Sequence, residues 1–269
     1  MCDPLVQRPE VSAKFCAAIG RRATRNVGLV SDEALTLLQL HAHIGDTEYG
    51  SPPMLTSPLL DQAWSVLLDQ FAHRFAAAPV AQGPETAAHV RRLQGQLPDW
   101  DFVDHDVVLA ESLAPLNRQR DPIVGALERL QPVLQWRTRG VFTDAAFTNR
   151  AYVEFIGPDG MVQSDDIRLG IYWHDRDTFY PSHRHNAVEL YHVLSGTGFW
   201  QHLSPTWVPR PAGSFILHGS REDHATRSEA EPILTLWSWT GDISFESYSM
   251  DEAAVAPPAM PPTASMPLA

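Results

Sequence analysis

The sequence predicts an α+β protein: a helical amino-terminal region, residues 1–135, packed on an antiparallel β-sandwich or barrel, residues 136–250, with a tail over residues 251–269. Three observations carry that reading. Apolar residues recur at helical spacing in the first half, and short β-branched and aromatic runs follow without helical stretches between them. The last 19 residues hold five prolines and no periodicity, so the tail is expected to stay disordered. With 269 residues, 44% of them apolar and including 8 Trp and 11 Phe, the chain can bury a sizeable core.

The helical elements announce themselves by their starts. Ser31 precedes Asp32 and Glu33, an acidic first turn that complements a helix amino terminus. Ser57-Pro58 reads as an N-cap with proline at the first helical position, and Leu60, Trp64, Leu67, Leu68, Phe71 and Phe75 then fall on one face. Asp121-Pro122 opens a further helix through Ile123, Val124, Leu127 and Leu130, until Pro132 interrupts the hydrogen-bond ladder. These stripes suit core contacts; whether they cover the barrel mouth or build a homodimer is not decided by their pattern.

The strand half begins near Trp136. Its runs are Ala151–Ile156, closed by Gly157-Pro158-Asp159-Gly160, then Ile167–Trp173, Val188–Leu194, Gly198–His202, Ser214–Leu217 and Ile233–Trp239. Regular spacing without intervening helices gives an antiparallel sandwich or barrel.

Charge narrows the partners. Twenty basic residues, of which Lys14 is the one lysine, stand against 32 acidic ones, a net of −12, which leaves no cationic footprint for nucleic acid or for an anionic membrane surface. Cys2 and Cys16 form neither a disulfide framework nor a zinc-ribbon spacing, which suits a reducing compartment. The start, MCDPLVQRPE, lacks a secretory pattern, and no run of about 18 apolar residues occurs, so a cytoplasmic protein is expected.

The chemistry concentrates between residues 180 and 224. His183 and His185 are two apart, as are Glu189 and Tyr191, and on extended chain that spacing puts both members of a pair on one face. If the two pairs end one strand and begin the next, all four side chains converge inside a barrel, and His224, after the turn Gly219–Asp223, can add a further nitrogen. Three imidazoles and a carboxylate suit one divalent Zn, Fe, Mn, Co or Ni ion with positions left for water or substrate. His41-x-His43 has the same spelling, but it lies in a helical pattern and no glutamate follows four residues later. What distinguishes the later pair is the full spacing His183-x-His185-x3-Glu189-x6-Gly196, with Pro211-x-Gly213 ahead of His224.

The run HRHNAVELYHVLSG resembles the first cupin motif, and PAGSFILHGSREDH a diverged second one. More narrowly, Tyr180-Pro-Ser-His183-Arg-His185-Asn-Ala-Val-Glu189-Leu-Tyr191 is similar to the cupin-type dimethylsulfoniopropionate (DMSP) lyases. So are Asp223-His224-Ala225, Glu231-Pro232 and Trp239-Thr-Gly241-Asp242. The likeness covers about residues 150–248, and the chain's length is nearest the longer members. Asp177 and Pro205 stand where the two general cupin motifs open on glycine, and Asp223 stands where proline is expected.

The resemblance implies a double-stranded β-helix barrel and a carbon–sulfur lyase that splits DMSP, a small carboxylate bearing a sulfonium, into dimethyl sulfide and acrylate. It implies a metal held by His183, His185, Glu189 and His224, and a pocket lined by Tyr180, which either binds the carboxylate or assists proton transfer. Tyr191, on the face of a ligand, is the candidate base: its unperturbed pKa of about 10 is too high for neutral pH, but a nearby cation favours the phenolate. Trp239 is the preferred wall for the sulfonium, ahead of Trp173, Phe179 and Trp200. His192, of opposite strand parity, should point away, and His174, His202 and His218 match no ligand position, though His218 lies on the strand leading to His224. The same metal shell serves cupin dioxygenases and isomerases acting on other small carboxylates, and non-catalytic cupins that bind a metabolite.

Overall fold

The computed structural model describes residues 57–103, 107, 109–117, 119–137 and 149–250. The helix expected after Ser31, the His41-x-His43 pair, both cysteines and the tail from Asp251 lie outside the described residues.

Helix α1 spans Ser57–Ala76, and every member of its predicted stripe, Leu60, Trp64, Leu67, Leu68, Phe71 and Phe75, is buried. Helices α2 (Gln82–Leu93), α3 (Ala110–Leu113) and α4 (Pro122–Leu130) follow, the last continued by a 3-10 turn over Gln131–Val133, where Pro132 ends regular α-geometry. Asp121 caps α4 by accepting from the Ile123 amide, and its two oxygens also take Nη2 of Arg74 at 2.6 and 2.7 Å, so one carboxylate pins α4 to the end of α1.

Eleven strands follow among the described residues. They are β1 (Arg150–Gly157), β2 (Val162–Gln163), β3 (Arg168–His174), β4 (Phe179–Arg184), β5 (Val188–Ser195), β6 (Thr197–His202), β7 (Val208–Pro211), β8 (Phe215–His218), β9 (His224–Arg227), β10 (Ile233–Thr240) and β11 (Ser249–Met250). They form two sheets, ordered β2-β1-β3-β10-β5-β8 and β11-β4-β9-β6-β7, antiparallel except for the short parallel β1–β2 pair. All six predicted runs fall on strands. The β4 and β9 strands, short and rich in polar residues, carry no such run and come from the pairing itself.

Alternation along β5 and β10 divides the interior in two. Leu190, Leu194, Leu234 and Leu236 face outward into a core shared with the helices, where Trp64 and Phe71 each meet Phe155 of β1 at 5.6 Å between ring centroids. Tyr191, Val193, Ile233, Trp237 and Trp239 face the barrel interior together with Trp200 and Ile216. The six-stranded sheet is thus covered on both faces, which is why β10 is buried at every position despite Thr235, Ser238 and Thr240. Asp177, at the place where a motif glycine is expected, has φ 51°, so the left-handed turn that favours glycine is kept with aspartate in it. Among the described residues no helix is long and apolar enough to cross a membrane.

Candidate active site

The inner ends of β4, β5 and β9 assemble the site. His183 and His224 are direct partners across β4 and β9, Glu189 lies on the inward face of β5, and His185 sits on the connection between β4 and β5. One ligand atom from each of His183, His185, Glu189 and His224 can be chosen so that all four lie within 4.8 Å of one another, and all four residues are buried. Tyr180 and His183 are three residues apart, a separation that regular alternation would send to opposite faces. A register shift between them in the β4–β9 ladder turns both inward, and their rings stack at 4.0 Å.

Backbone carbonyls set the histidine tautomers. Nδ1–H of His183 donates to the Pro181 carbonyl (2.8 Å), that of His185 to Ala187 (3.0 Å) and that of His224 to Glu222 (2.9 Å). A carbonyl only accepts, so each of these nitrogens holds the hydrogen and each Nε2 is left as a bare lone pair. The Nε2 atoms of His185 and His224 are buried without a hydrogen-bond partner, and they stand 3.4 and 3.1 Å from the same oxygen of Glu189. Lone pairs aimed at a carboxylate in a dry interior are the donor set of a divalent-metal site, and the residues present fit one.

Electrostatics agree with that fit. Burial alone would raise the Glu189 carboxyl, but the imidazoles of His185, His218 and His224 set against it outweigh that and hold the group well below the usual range. Burial, then the neighbouring His224, pushes the His183 imidazole well down, so it stays neutral. The phenols go the other way. Tyr191 is raised well above the ordinary value by burial and next by the Glu189 charge, and Tyr180 and Tyr172 are raised well above it chiefly by burial.

The remaining candidates take distinct places. Trp239 lies over His185 at 4.1 Å and donates its indole N–H to Oε1 of Glu189 (2.7 Å), a tie that its selection as an aromatic wall did not foresee. Trp200 sits inside, 6.0 Å from Tyr191, whereas Trp173 packs toward the helix-side core and Phe179 against Trp207. His192 points outward as its parity requires, stacked on Phe215 at 4.4 Å. His174 packs edge-on to Tyr172, and His202 pairs with Glu222 at 2.6 Å. His218 reaches the cluster, with Nδ1 3.3 Å from Oε2 of Glu189. Sequence reasoning passed over Tyr248, whose hydroxyl bonds that of Tyr180 at 2.8 Å, and Arg150, whose guanidinium lies 3.9 Å over the Tyr180 ring.

Two antiparallel sheets closed around an inward cluster of three histidines and a glutamate define a cupin-like β-domain. The family model of the dimethylsulfoniopropionate lyases matches residues 74–235, and the chain belongs to that family. It is 29% identical over 174 residues to the dimethylsulfoniopropionate lyase DddQ of Ruegeria pomeroyi, covering 63% of this chain and 80% of that one. It is 30% identical over 118 residues to the putative dimethylsulfoniopropionate lyase DddL of Cereibacter sphaeroides, covering 43% of this chain and half, 50%, of the relative's length. The crystal structure of DddQ from Ruegeria pomeroyi superposes with a TM-score of 0.54 at 21% identity, over 75% of this chain and 100% of that one, a likeness of fold.

Proposed function

We propose that this protein is a metal-dependent DMSP lyase that releases dimethyl sulfide and acrylate by β-elimination. The observation that carries the reading is the inward set of His183, His185, Glu189 and His224, with imidazole tautomers fixed by backbone carbonyls, beside the buried phenol of Tyr191. A divalent ion held by those four residues supplies a Lewis acid for the substrate carboxylate and a positive charge that favours a phenolate at Tyr191.

The chain's own residues do the rest. The phenolate oxygen of Tyr191 takes the proton from the carbon next to the carboxylate. The electrons of that C–H bond become the new C=C bond, the bond from the β-carbon to sulfur breaks, and its pair leaves on dimethyl sulfide. Tyr180, with Tyr248 at its hydroxyl, orients the carboxylate end. The faces of Trp239 and its neighbours receive the sulfonium, worth roughly 0.5–2 kcal/mol per ring according to how dry the contact is. The barrel wall excludes water while the charge moves. The reaction belongs in the cytoplasm on this reading, in keeping with a chain whose two cysteines form no disulfide framework.

The test is headspace gas chromatography of purified protein with DMSP, run without oxygen, before and after chelator dialysis. Dimethyl sulfide and acrylate in equal amounts, lost with the metal and restored by one divalent ion per chain, are expected. Turnover untouched by exhaustive chelation, or dependent on oxygen, overturns the reading.

A further inference from the structure

His218 is fully buried, lies outside the four residues assigned above, and faces the site with the opposite nitrogen from its neighbours. His183, His185 and His224 give Nδ1 to a backbone carbonyl and keep Nε2 for the cluster. His218 instead directs Nδ1 at Oε2 of Glu189, 3.3 Å away, with its ring stacked on His224 at 3.9 Å.

The strand register explains the placement. Glu189 on β5 is paired directly with His218 on β8 and with Trp239 on β10. The three side chains form one row across three strands, and inward-facing partners in such a row meet. From one side Trp239 donates its indole N–H to Oε1 (2.7 Å), and from the other His218 meets Oε2. Each oxygen of the carboxylate therefore has its own nitrogen neighbour, supplied by a flanking strand. A carboxylate held at both oxygens has its side-chain torsions fixed beforehand, so it loses less freedom on binding a cation.

We propose that His218 is a positioning residue for the divalent-metal site: its Nδ1–H, opposite the indole N–H of Trp239, holds the Glu189 carboxylate in the orientation in which it binds the ion. The proposal rests on the reading of His183, His185, Glu189 and His224 as that site.

Three full-length proteins test it: wild type, His218→Leu and His218→Asn, the last keeping a short side-chain N–H donor. Each is stripped of metal and titrated with Co(II) against a competing chromophoric chelator, with the visible spectrum of the bound ion recorded and folding followed by circular dichroism. His218→Leu is expected to weaken Co(II) binding about 10–100-fold and to alter the spectrum, with His218→Asn recovering most of both. Wild-type affinity and spectrum in a folded His218→Leu protein overturns the proposal, as does a folded His218→Asn protein as weak as the leucine variant. Should the leucine variant not fold, long-range proton–nitrogen correlation spectra of the wild type decide: a hydrogen on Nδ1 of His218 supports the proposal, and its absence there overturns it. A wild type that binds neither Co(II) nor Zn(II) removes the metal reading itself, a result distinct from any difference among the variants.

Discussion

Replacing Arg168 by Met keeps an apolar stem of similar length and removes one buried cation that holds three segments together. Nη1 of Arg168 meets both oxygens of Glu154 at 2.9 Å and Oδ2 of Asp159 at 2.9 Å, Nε donates to the Ile243 carbonyl at 3.0 Å, and the guanidinium lies 4.0 Å over Phe245. Glu154 is only 2% exposed, so the variant strands a carboxylate whose remaining described donor is the Asp159 amide. Breaking a buried pair on one side costs about 3–5 kcal/mol, while the Asp159 contact, with its side chain 54% exposed, adds little. The sign with pH is fixed by the same carboxylate. Burial already raises Glu154, and without Arg168 it rises further. A carboxyl raised in the folded state destabilises above its unfolded value and ceases to do so once protonated. The deficit should therefore shrink as pH falls from about 8 to about 5. Urea unfolding of both proteins across that range, with m held common, reads it. A deficit under about 1 kcal/mol, or one that stays constant with pH, would show that the stranded carboxylate is not its source.

Two further residues give sharp expectations. Tyr191→Phe should lower kcat/KM about 10²–10⁴-fold with metal content unchanged, the range for removing a general base, and a loss under about tenfold in steady-state assays would dismiss Tyr191 from that role. His192, 6% exposed beside Arg74, is pushed down to about 4 by burial and then by that arginine, so the folded chain resists its protonation. Stability tied to it is intact above the unfolded value of about 6.5 and is lost, by about 3 kcal/mol, as pH falls through about 4. His192→Phe should flatten the stability–pH slope in that window, and an unchanged slope in urea titrations would contradict the assignment.

What could be read beforehand was whatever depends on local period. The α1 stripe from Leu60 to Phe75 and the parity of β5, with Glu189 and Tyr191 inward and His192 outward, need only a regular helix and a regular strand. The convergence of His183, His185, Glu189 and His224 followed from spacing together with the resemblance. The register shift between Tyr180 and His183 was invisible, because a bulge is a property of the partner strand as much as of its own residues. The row of Trp239, Glu189 and His218 spans separations of 50 and 29 residues, so only the pairing of three strands reveals it. Tyr248 follows a 3-10 turn, Phe245–Ser247, with no periodic signal, and reaches Tyr180 because β11 pairs with β4.

The phenols make the strongest demand on the proposed chemistry. Burial raises Tyr172, Tyr180, Tyr191 and Tyr248, and the Glu189 charge adds to the rise at Tyr191, so the metal-free interior holds neutral hydroxyls well past neutral pH. A neutral phenol is no base for a carbon acid. On the proposed chemistry the positive charge that converts Tyr191 would enter with the ion, and ionisation would then be coupled to binding, each favouring the other by the same free energy. Ultraviolet difference spectra should show no tyrosinate in the chelator-stripped chain at mildly alkaline pH, and about one tyrosinate after a stoichiometric divalent ion is added, absent in Tyr191→Phe. Metal binding should also release a proton, which strengthens it as pH rises. Tyrosinate present before the metal, or none after it in a chain that binds the ion and turns over DMSP, would mean that another group takes the proton.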